Sequence, residues 1–563
     1  MSYLDMYNKW LNSPKVDDKT KAELKSIKDE EEIKSRFIAM LSFGTAGLRG
    51  ILGAGLNRMN IYTVRYATQG LAALIRLEGE EAMKRGVVVA YDTRIMSAEF
   101  AREVCEVLAA NGINAYLFDG PRPTPELSYA VRELNCIAGV NITASHNPKE
   151  YNGYKAYWSD GAQLSPEQAE IVANEIKNLD IFDDIKLSSD TSDSPNIKIL
   201  GEEFDEKYIN VVLNQRINPD VIKNNANINI IYTPFHGAGH RLVPDVLKRA
   251  GFTNITCVKE QMVLDGNFPT VKSPNPENKE GFTLAIELAK KTGSDLIIGT
   301  DPDADRLGIV VKNKDNEYIP ITGNQTGVIL LDYIIKMRRA KNNLPENACV
   351  IKTIVTSEMA AEICRRNNVS IENVLTGFKF IGEKMEQFKQ TRSNTFIFGY
   401  EESYGYLVGD YARDKDGVVA SLLIAEAAAY YREQEKTLYD ALQDLYREYG
   451  CFYENTVNIY MEGLDGIEKT AKLMTSLREN RADSLGGLKV IEFKDFLKGI
   501  MNLPKSNVVY FTLEDKSVLV VRPSGTEPKV KIYIMTNADN SDSAKAKAES
   551  IEKSFRDKYL GNI

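Results

Sequence analysis

Apolar residues recur along this chain in short runs that alternate with amphipathic stretches, and that rhythm predicts its elements. The first 40 residues are charged with a helical pattern, and a glycine-rich turn, 43–50, follows. Residues 61–77 read as a helix, 86–91 as a buried strand ending in Asp92-Thr93-Arg94, 98–111 as a helix and 114–118 as a strand. Together they make a βαβ pattern. The apolar run 136–140 leads into Asn141-Ile142-Thr143-Ala144-Ser145-His146-Asn147-Pro148. Small and turn-forming residues end the run there, so Ser145 is expected on a loop at the C-terminal end of a strand, where open α/β sheets place their chemistry. A polar stretch, 188–196, has loop composition and marks the end of a first domain near residue 200.

The rhythm then restarts. Residues 228–232 read as a strand, 242–250 as a helix, 255–259 as a strand, and 294–299 as a strand ending in Thr300-Asp301-Pro302-Asp303-Ala304-Asp305-Arg306. A third unit has strands 348–354 and 395–398, the loop Thr376-Gly377-Phe378-Lys379, and the turn Gly399-Tyr400-Glu401-Glu402-Ser403-Tyr404-Gly405. From about residue 450 alternating stretches (456–460, 508–512, 517–521, 529–535) flank helical segments that include 543–559. This texture predicts a smaller α+β domain with an antiparallel sheet, one of whose turns carries Arg522-Pro523-Ser524-Gly525-Thr526-Glu527-Pro528. The expected fold is therefore α/β: three similar mixed-sheet domains at 1–203, 204–323 and 324–448, then an α+β domain at 449–563. A length of 563 residues agrees with about four domains.

Composition excludes several classes. With 43% hydrophobic and 26% charged residues the chain has the balance of a soluble enzyme. A net charge of -9 argues against general nucleic-acid binding, which needs a cationic face. The six cysteines are scattered without a close pair, as reduced core residues would be, so a cytoplasmic protein is expected. No apolar leader is read in residues 1–36, and the longest apolar stretch, 418–431, carries Glu426 and is too short for a bilayer. Neither a signal peptide nor a membrane role is expected.

Four constellations carry candidate chemistry. Ser145 can offer its hydroxyl from a fixed turn. Asp301, Asp303 and Asp305, at alternate positions, repel one another unless a cation sits between them, and three oxygen ligands suit a hard divalent ion such as Mg²⁺. An EF-hand is ruled out, since its sixth loop position would be Arg306 and its twelfth Lys312. Arg306 can hold a second anion near such a metal. Arg522, Ser524, Gly525 and Thr526 offer a guanidinium, two hydroxyls and backbone N–H groups to a phosphate monoester. Glu401 and Ser403 supply an acceptor and a donor suited to vicinal hydroxyls of a sugar. An ordinary turn serine, a solvated acidic loop and a surface Ser-Gly-Thr turn are the bland readings of these motifs taken singly.

Taken together and in this order, the four motifs resemble those of the α-D-phosphohexomutase superfamily, most closely its phosphoglucomutase and phosphopentomutase branch, judged by Pro302 and the Glu-Glu-Ser-Tyr loop. The resemblance implies four domains around a central cleft. It implies that Ser145 is a phosphoserine that donates and receives the phosphoryl group. It implies one Mg²⁺ per chain, held by Asp301, Asp303, Asp305 and an oxygen on Ser145. Arg49 (in Gly-Leu-Arg-Gly), Lys155 (in Asn-Gly-Tyr-Lys) and Arg306 match basic residues around the reacting phosphoryl. Lys379 matches a substrate-contacting lysine or histidine, and His146 follows the nucleophile. Glu401 and Ser403 match sugar-hydroxyl binders, and Arg522, Ser524, Gly525 and Thr526 the loop for the non-reacting phosphate. The expected activity is interconversion of glucose 1-phosphate and glucose 6-phosphate through a bound sugar 1,6-bisphosphate, which is both activator and intermediate.

Phosphopentomutase and phosphomannomutase are the alternatives within that chemistry. A metal-dependent sugar phosphatase fits less well, because binuclear sites recruit several histidines and this chain has only His146, His236 and His240. An inactive sugar-phosphate sensor would have little reason to keep all four motifs. No Gly-Lys pair occurs, so no P-loop is present. The expected partner is a small phosphosugar, with no nucleic acid and no membrane, bound by a monomer or homodimer.

Overall fold

The computed structural model describes residues 2–44, 47–187, 194–461, 466–524 and 529–561. Four sheets follow one another along the chain. The first has six strands, in the order Leu48–Ile51, Tyr151–Trp158, Ala138–Ile142, Val87–Tyr91, Ala115–Phe118, Ile197–Leu200. Val87–Tyr91 runs parallel to both neighbours, whereas Tyr151–Trp158 is antiparallel to Ala138–Ile142. The central strand reads as an unbroken apolar run because both of its faces are covered. Val87 and Val89 pack under the helices Ile61–Leu77 and Ser97–Ala110, while Val88 and Ala90 meet Leu127, Ala130 and Val131 of the helix Thr124–Glu133.

The second and third sheets repeat the plan. In the second, Ile230–Thr233 is parallel to Ile255–Cys257 and to Leu296–Thr300, and Leu296–Thr300 turns back into the antiparallel strand Leu307–Lys312. In the third, Ala348–Thr353 is parallel to Ser370–Val374 and to Thr395–Glu401, which turns back into Gly405–Leu407. In all three units a parallel strand therefore continues into an antiparallel hairpin partner, and the motif loop is the tip of that hairpin. Each tip carries one non-glycine residue in the left-handed region: Ser145 (φ 51°), Ala304 (φ 50°) and Tyr404 (φ 67°). This kinship is geometric and leaves no residue-level repeat in the sequence.

The helix Gly417–Arg432 explains the long apolar stretch. It is buried almost all round, as a helix without a polar face must be, and it packs against both the second and third sheets. A single apolar core runs from Tyr208 to Tyr449 as a result. The last sheet is antiparallel, in the order Cys451–Tyr460, Lys529–Ala538, Val518–Pro523, Val509–Leu513, Leu488–Asp495, Ser484–Leu485. It is backed by Gly466–Glu479 and Ser541–Tyr559.

One sequence expectation changes. The glycine-rich turn 43–50 contains a strand, Leu48–Ile51, recruited to the edge of the first sheet by Tyr151–Trp158. The first sheet extends through Ile197–Leu200, and the expected boundary at 203/204 lies within the first turn of the helix Glu202–Leu213. Most of the polar stretch 188–196 lies outside the described residues. Among the described residues no helix is long and apolar enough to cross a membrane, and all six cysteines are free thiols.

Candidate active site

Asp92, Thr143 and Arg94 fix the loop that carries Ser145. The Ser145 amide donates to Thr143 Oγ1 at 2.8 Å, and the Thr143 hydroxyl donates to Asp92 Oδ2 at 2.7 Å. The Ser145 hydroxyl points away from this network and donates to Asp301 Oδ2 at 2.7 Å. The Ser145 loop and the acidic loop, on separate sheets, are thus in direct contact. Thr124 ties them again, its amide donating to the Asp303 carbonyl at 2.8 Å and its hydroxyl to Asp303 Oδ2 at 3.0 Å. His146 Nδ1 lies 3.2 Å from Ser145 Oγ. Desolvation, then Arg306 and Arg49, hold that imidazole well below its ordinary pKa, so it is neutral at pH 7.

Asp301, Asp303 and Asp305 are fully buried and offer oxygens that lie within 4.8 Å of one another. Lys155, on the strand Tyr151–Trp158, reaches Asp303 Oδ2 at 2.7 Å and Asp305 Oδ2 at 3.5 Å. Burial alone would raise Asp303, but the Lys155 ammonium and hydrogen bonds from its neighbours outweigh it and hold the carboxyl far below the usual range. Asp301 goes the other way, pushed well up by burial and then by Asp303 and Asp305. Asp303 Oδ1 and Asp305 Oδ1 are buried without a hydrogen-bond partner among the described residues, and a buried acceptor left unsatisfied costs about 1–3 kcal/mol.

The remaining basic residues ring this cluster. The Arg306 amide donates to Asp301 Oδ1 at 3.0 Å, while its guanidinium reaches Glu277 at 3.1 Å. Arg49 donates to Asn147 Oδ1 at 3.1 Å, on the Ser145 loop. Lys415 was not singled out in sequence, yet it pairs with Asp305 Oδ2 at 2.9 Å and with Asp414 at 3.2 Å. It also acts on Glu401, so it links the acidic loop to the third hairpin. The signal was present as a charged run, Arg413-Asp414-Lys415-Asp416, directly before the most apolar helix.

The third hairpin and the last sheet supply a second group. Glu401 is buried and accepts from the Gly377 amide at 2.8 Å. Ser403 sits beside it, half-buried on the same turn. Lys379, in the first turn of the helix Phe378–Thr391, lies over the Phe380 ring. Desolvation lowers its pKa to about 8, with Arg522 adding to the effect against the opposing pull of Glu383. Arg522 ends the strand Val518–Pro523, hydrogen-bonds Tyr533 and acts on Glu402 and Lys379. Ser524 follows it, whereas Gly525 and Thr526 lie outside the described residues. The structure thus gathers Ser145, His146, Arg49, Lys155, Arg306 and the three aspartates into one cluster. Lys379, Glu401 and Arg522 form a neighbouring group, joined to the first through Lys415. A separate crevice of about 690 Å³, lined by Ile354, Phe452, Phe496 and Tyr510, receives none of them.

Comparison with known proteins agrees with this arrangement. The phosphoglucomutase/phosphomannomutase α/β/α domains I, II and III match residues 40–181, 206–314 and 322–449. The chain is 37% identical to a phosphoglucomutase of Staphylococcus haemolyticus over 518 residues, 90% of this chain and 92% of that one. It is likewise 37% identical to a phosphoglucomutase of Staphylococcus aureus over 531 residues, 92% and 94% of the two chains. Parafusin, a phosphoglucomutase of Paramecium, superposes with a TM-score of 0.68 at 18% identity, covering 92% of this chain and 93% of that one. With relatives matched over nine-tenths of its length and all three α/β/α domains present in order, the chain belongs to the phosphoglucomutase/phosphomannomutase family of the α-D-phosphohexomutase superfamily.

Proposed function

We propose that the protein is a phosphosugar mutase that interconverts glucose 1-phosphate and glucose 6-phosphate through a phosphorylated Ser145. The observation that carries this reading is the 2.7 Å contact between the Ser145 hydroxyl and Asp301 in the midst of Lys155, Arg306 and the buried aspartates. In this reading residues 1–203 carry the phosphoserine, 204–323 the acidic loop, 324–448 the sugar contacts and 449–563 the anchor for the second phosphate.

The chemistry follows from what each group can do. With Ser145 phosphorylated, the free hydroxyl oxygen of the bound sugar phosphate attacks phosphorus. A P–O bond to that oxygen forms as the bond to Ser145 Oγ breaks, and the hydroxyl proton leaves to a neighbouring base. The product is a sugar 1,6-bisphosphate. After it reorients, the other phosphate returns to Ser145 by the same step in reverse. Dispersed negative charge builds up between the in-line oxygens, so fixed cations and positioning supply most of the acceleration. Lys155 and Arg306 are placed to do so, Lys155 being buried and already oriented by two carboxylates. Glu401 and Ser403 would hold sugar hydroxyls, and Arg522 with Ser524 the phosphate that does not react.

The unpartnered buried oxygens of Asp303 and Asp305 fit a hard divalent cation. Mg²⁺ held by Asp301, Asp303 and Asp305 would neutralise charge on the phosphoryl oxygens. The reading is tested by replacing Ser145 with alanine and assaying interconversion of the two glucose phosphates. Undiminished turnover would end it. Assaying glucose, mannose, glucosamine, ribose and deoxyribose 1-phosphates side by side ranks the sugars.

A further inference from the structure

Resting on that reading, we infer that Arg94 is a positioning residue for the phosphoryl transfer, a guanidinium clamp that holds the Ser145 loop in its reactive shape from behind. Its side chain is wholly buried, and its hydrogen bonds go to backbone carbonyls of the Ser145 loop rather than to the three aspartates. One terminal nitrogen donates to the carbonyls of Pro148 at 2.9 Å and Tyr151 at 3.0 Å. The other donates to the carbonyls of Ser145 and Asn147. Four carbonyls of a single loop thus converge on one planar fork, including the carbonyl of the nucleophile itself.

The loop needs such a clamp. Ser145 sits at φ 51°, a conformation that a non-glycine residue keeps only when its surroundings impose it. It also brings successive carbonyl dipoles to one point, which a fixed cation satisfies and a neutral side chain does not. The clamp is itself held on three sides. Asp92 Oδ2 lies 3.2 Å from Arg94 Nε, and Asp92 Oδ1 accepts from the Arg94 amide at 2.9 Å and from Ser97 Oγ at 2.8 Å. From the second unit, the Phe268 ring faces the guanidinium with its centroid 5.0 Å from Cζ. The backbone around Gly266 approaches so closely that a Cβ there would lie 2.5 Å from the Ile95 amide nitrogen. The same Asp92 accepts from Thr143, which orients the Ser145 amide. One buried ion pair therefore fixes the nucleophile's backbone from both its amide and its carbonyl side.

A lysine at this position keeps the charge but brings its three donors to a point, and cannot span four carbonyls. The test uses the full-length protein and follows phosphorylation of Ser145 by glucose 1,6-bisphosphate through intact mass, alongside steady-state turnover of glucose 1-phosphate. For Arg94→Lys, with folding verified by its melting curve, the labelling rate and kcat are expected to fall by about 100-fold, as loss of near-attack geometry does. KM is expected to stay within about threefold, because the sugar contacts are elsewhere. For Arg94→Ala, added guanidinium ion is expected to restore at least part of the lost rate, which it would not do for a residue that merely fills space. Labelling of Arg94→Lys at the wild-type rate, or a raised KM with kcat unchanged, overturns the assignment while the mutase reading stands. If Arg94→Ala does not fold, Arg94→Lys decides alone. Wild-type protein that takes up no phosphoryl group at Ser145 overturns both.

Discussion

The Ser145 hydroxyl and the Asp301 carboxylate are 156 positions apart in sequence and 2.7 Å apart in space. Two hairpin tips from different sheets have to meet for this to happen, and the acidic one carries three buried carboxylates whose repulsion opposes folding. A divalent cation should therefore stabilise the protein as well as activate it. Mg²⁺ at 100 times its Kd is expected to add ~2.7 kcal/mol of stability, and chelation is expected to abolish turnover reversibly. Asp301→Asn should lose both responses. A wild-type melting curve that does not move with added Mg²⁺ would remove the metal from the site.

Lys379 makes a pH-dependent contribution. Its pKa is lowered to about 8 by desolvation, so its ammonium is present below that pH and lost above it. If the charge helps to capture the substrate's phosphate, kcat/KM, which reports the free enzyme, should fall as the pH is raised through about 8. Lys379→Arg, protonated throughout, should flatten that limb, and Lys379→Gln should lower kcat/KM at every pH below it. An alkaline limb left intact in Lys379→Arg would assign it to another group.

The legibility of this site in sequence follows a physical division. The helix Ile61–Leu77 and the strand Val87–Tyr91 were readable because their apolar pattern is local. The motif loops of the first three sheets were readable because each is a hairpin tip with distinctive turn chemistry. The returning strands were not. Tyr151–Trp158 mixes glycine, asparagine and lysine with aromatics, since Gly153 has to lie against the Thr143 carbonyl and Lys155 has to face the aspartates. Leu48–Ile51 becomes a strand only because Tyr151–Trp158 pairs with it. Lys415 and Arg94 acquire their roles from partners on other segments, which neither periodicity nor a short motif encodes.

Gly417 marks where the third unit touches the acidic loop. Its amide donates to the Ala304 carbonyl at 3.1 Å, and a Cβ there would lie 2.7 Å from that oxygen and 2.9 Å from the Arg306 carbonyl. Both contacts are backbone, so neither can swing aside. Gly417→Ala is expected to displace the tip that carries Ala304 at φ 50°, costing ~1–3 kcal/mol in stability by overpacking and lowering kcat by about 100-fold. A titration of activity against Mg²⁺ should show a weakened metal requirement curve, shifted to higher concentration. An unshifted titration with full kcat would show that the loop's position does not depend on this contact.

Glu126 offers a test of stability rather than catalysis. It is wholly buried, neither carboxyl oxygen has a hydrogen-bond partner among the described residues, and the nearest charge, Arg122 Nε, is 4.0 Å away. Burial pushes its pKa from 4.5 to about 8, with Arg122 and Arg241 opposing. Between those values the folded protein holds a proton that the unfolded chain has released. Its contribution to stability is therefore greatest below about pH 4.5, falls as the pH rises from there to about 8, and levels off above, by on the order of 5 kcal/mol in all. Glu126→Gln carries no such penalty. In urea unfolding the variant should gain on the wild type at pH 9 and match it closely at pH 4, because at pH 4 the carboxyl is neutral in the fold and mostly neutral outside it. An equal difference at the two pH values would mean that the carboxyl ionises in the fold as readily as in the open chain, and would place a compensating cation closer to it than Arg122.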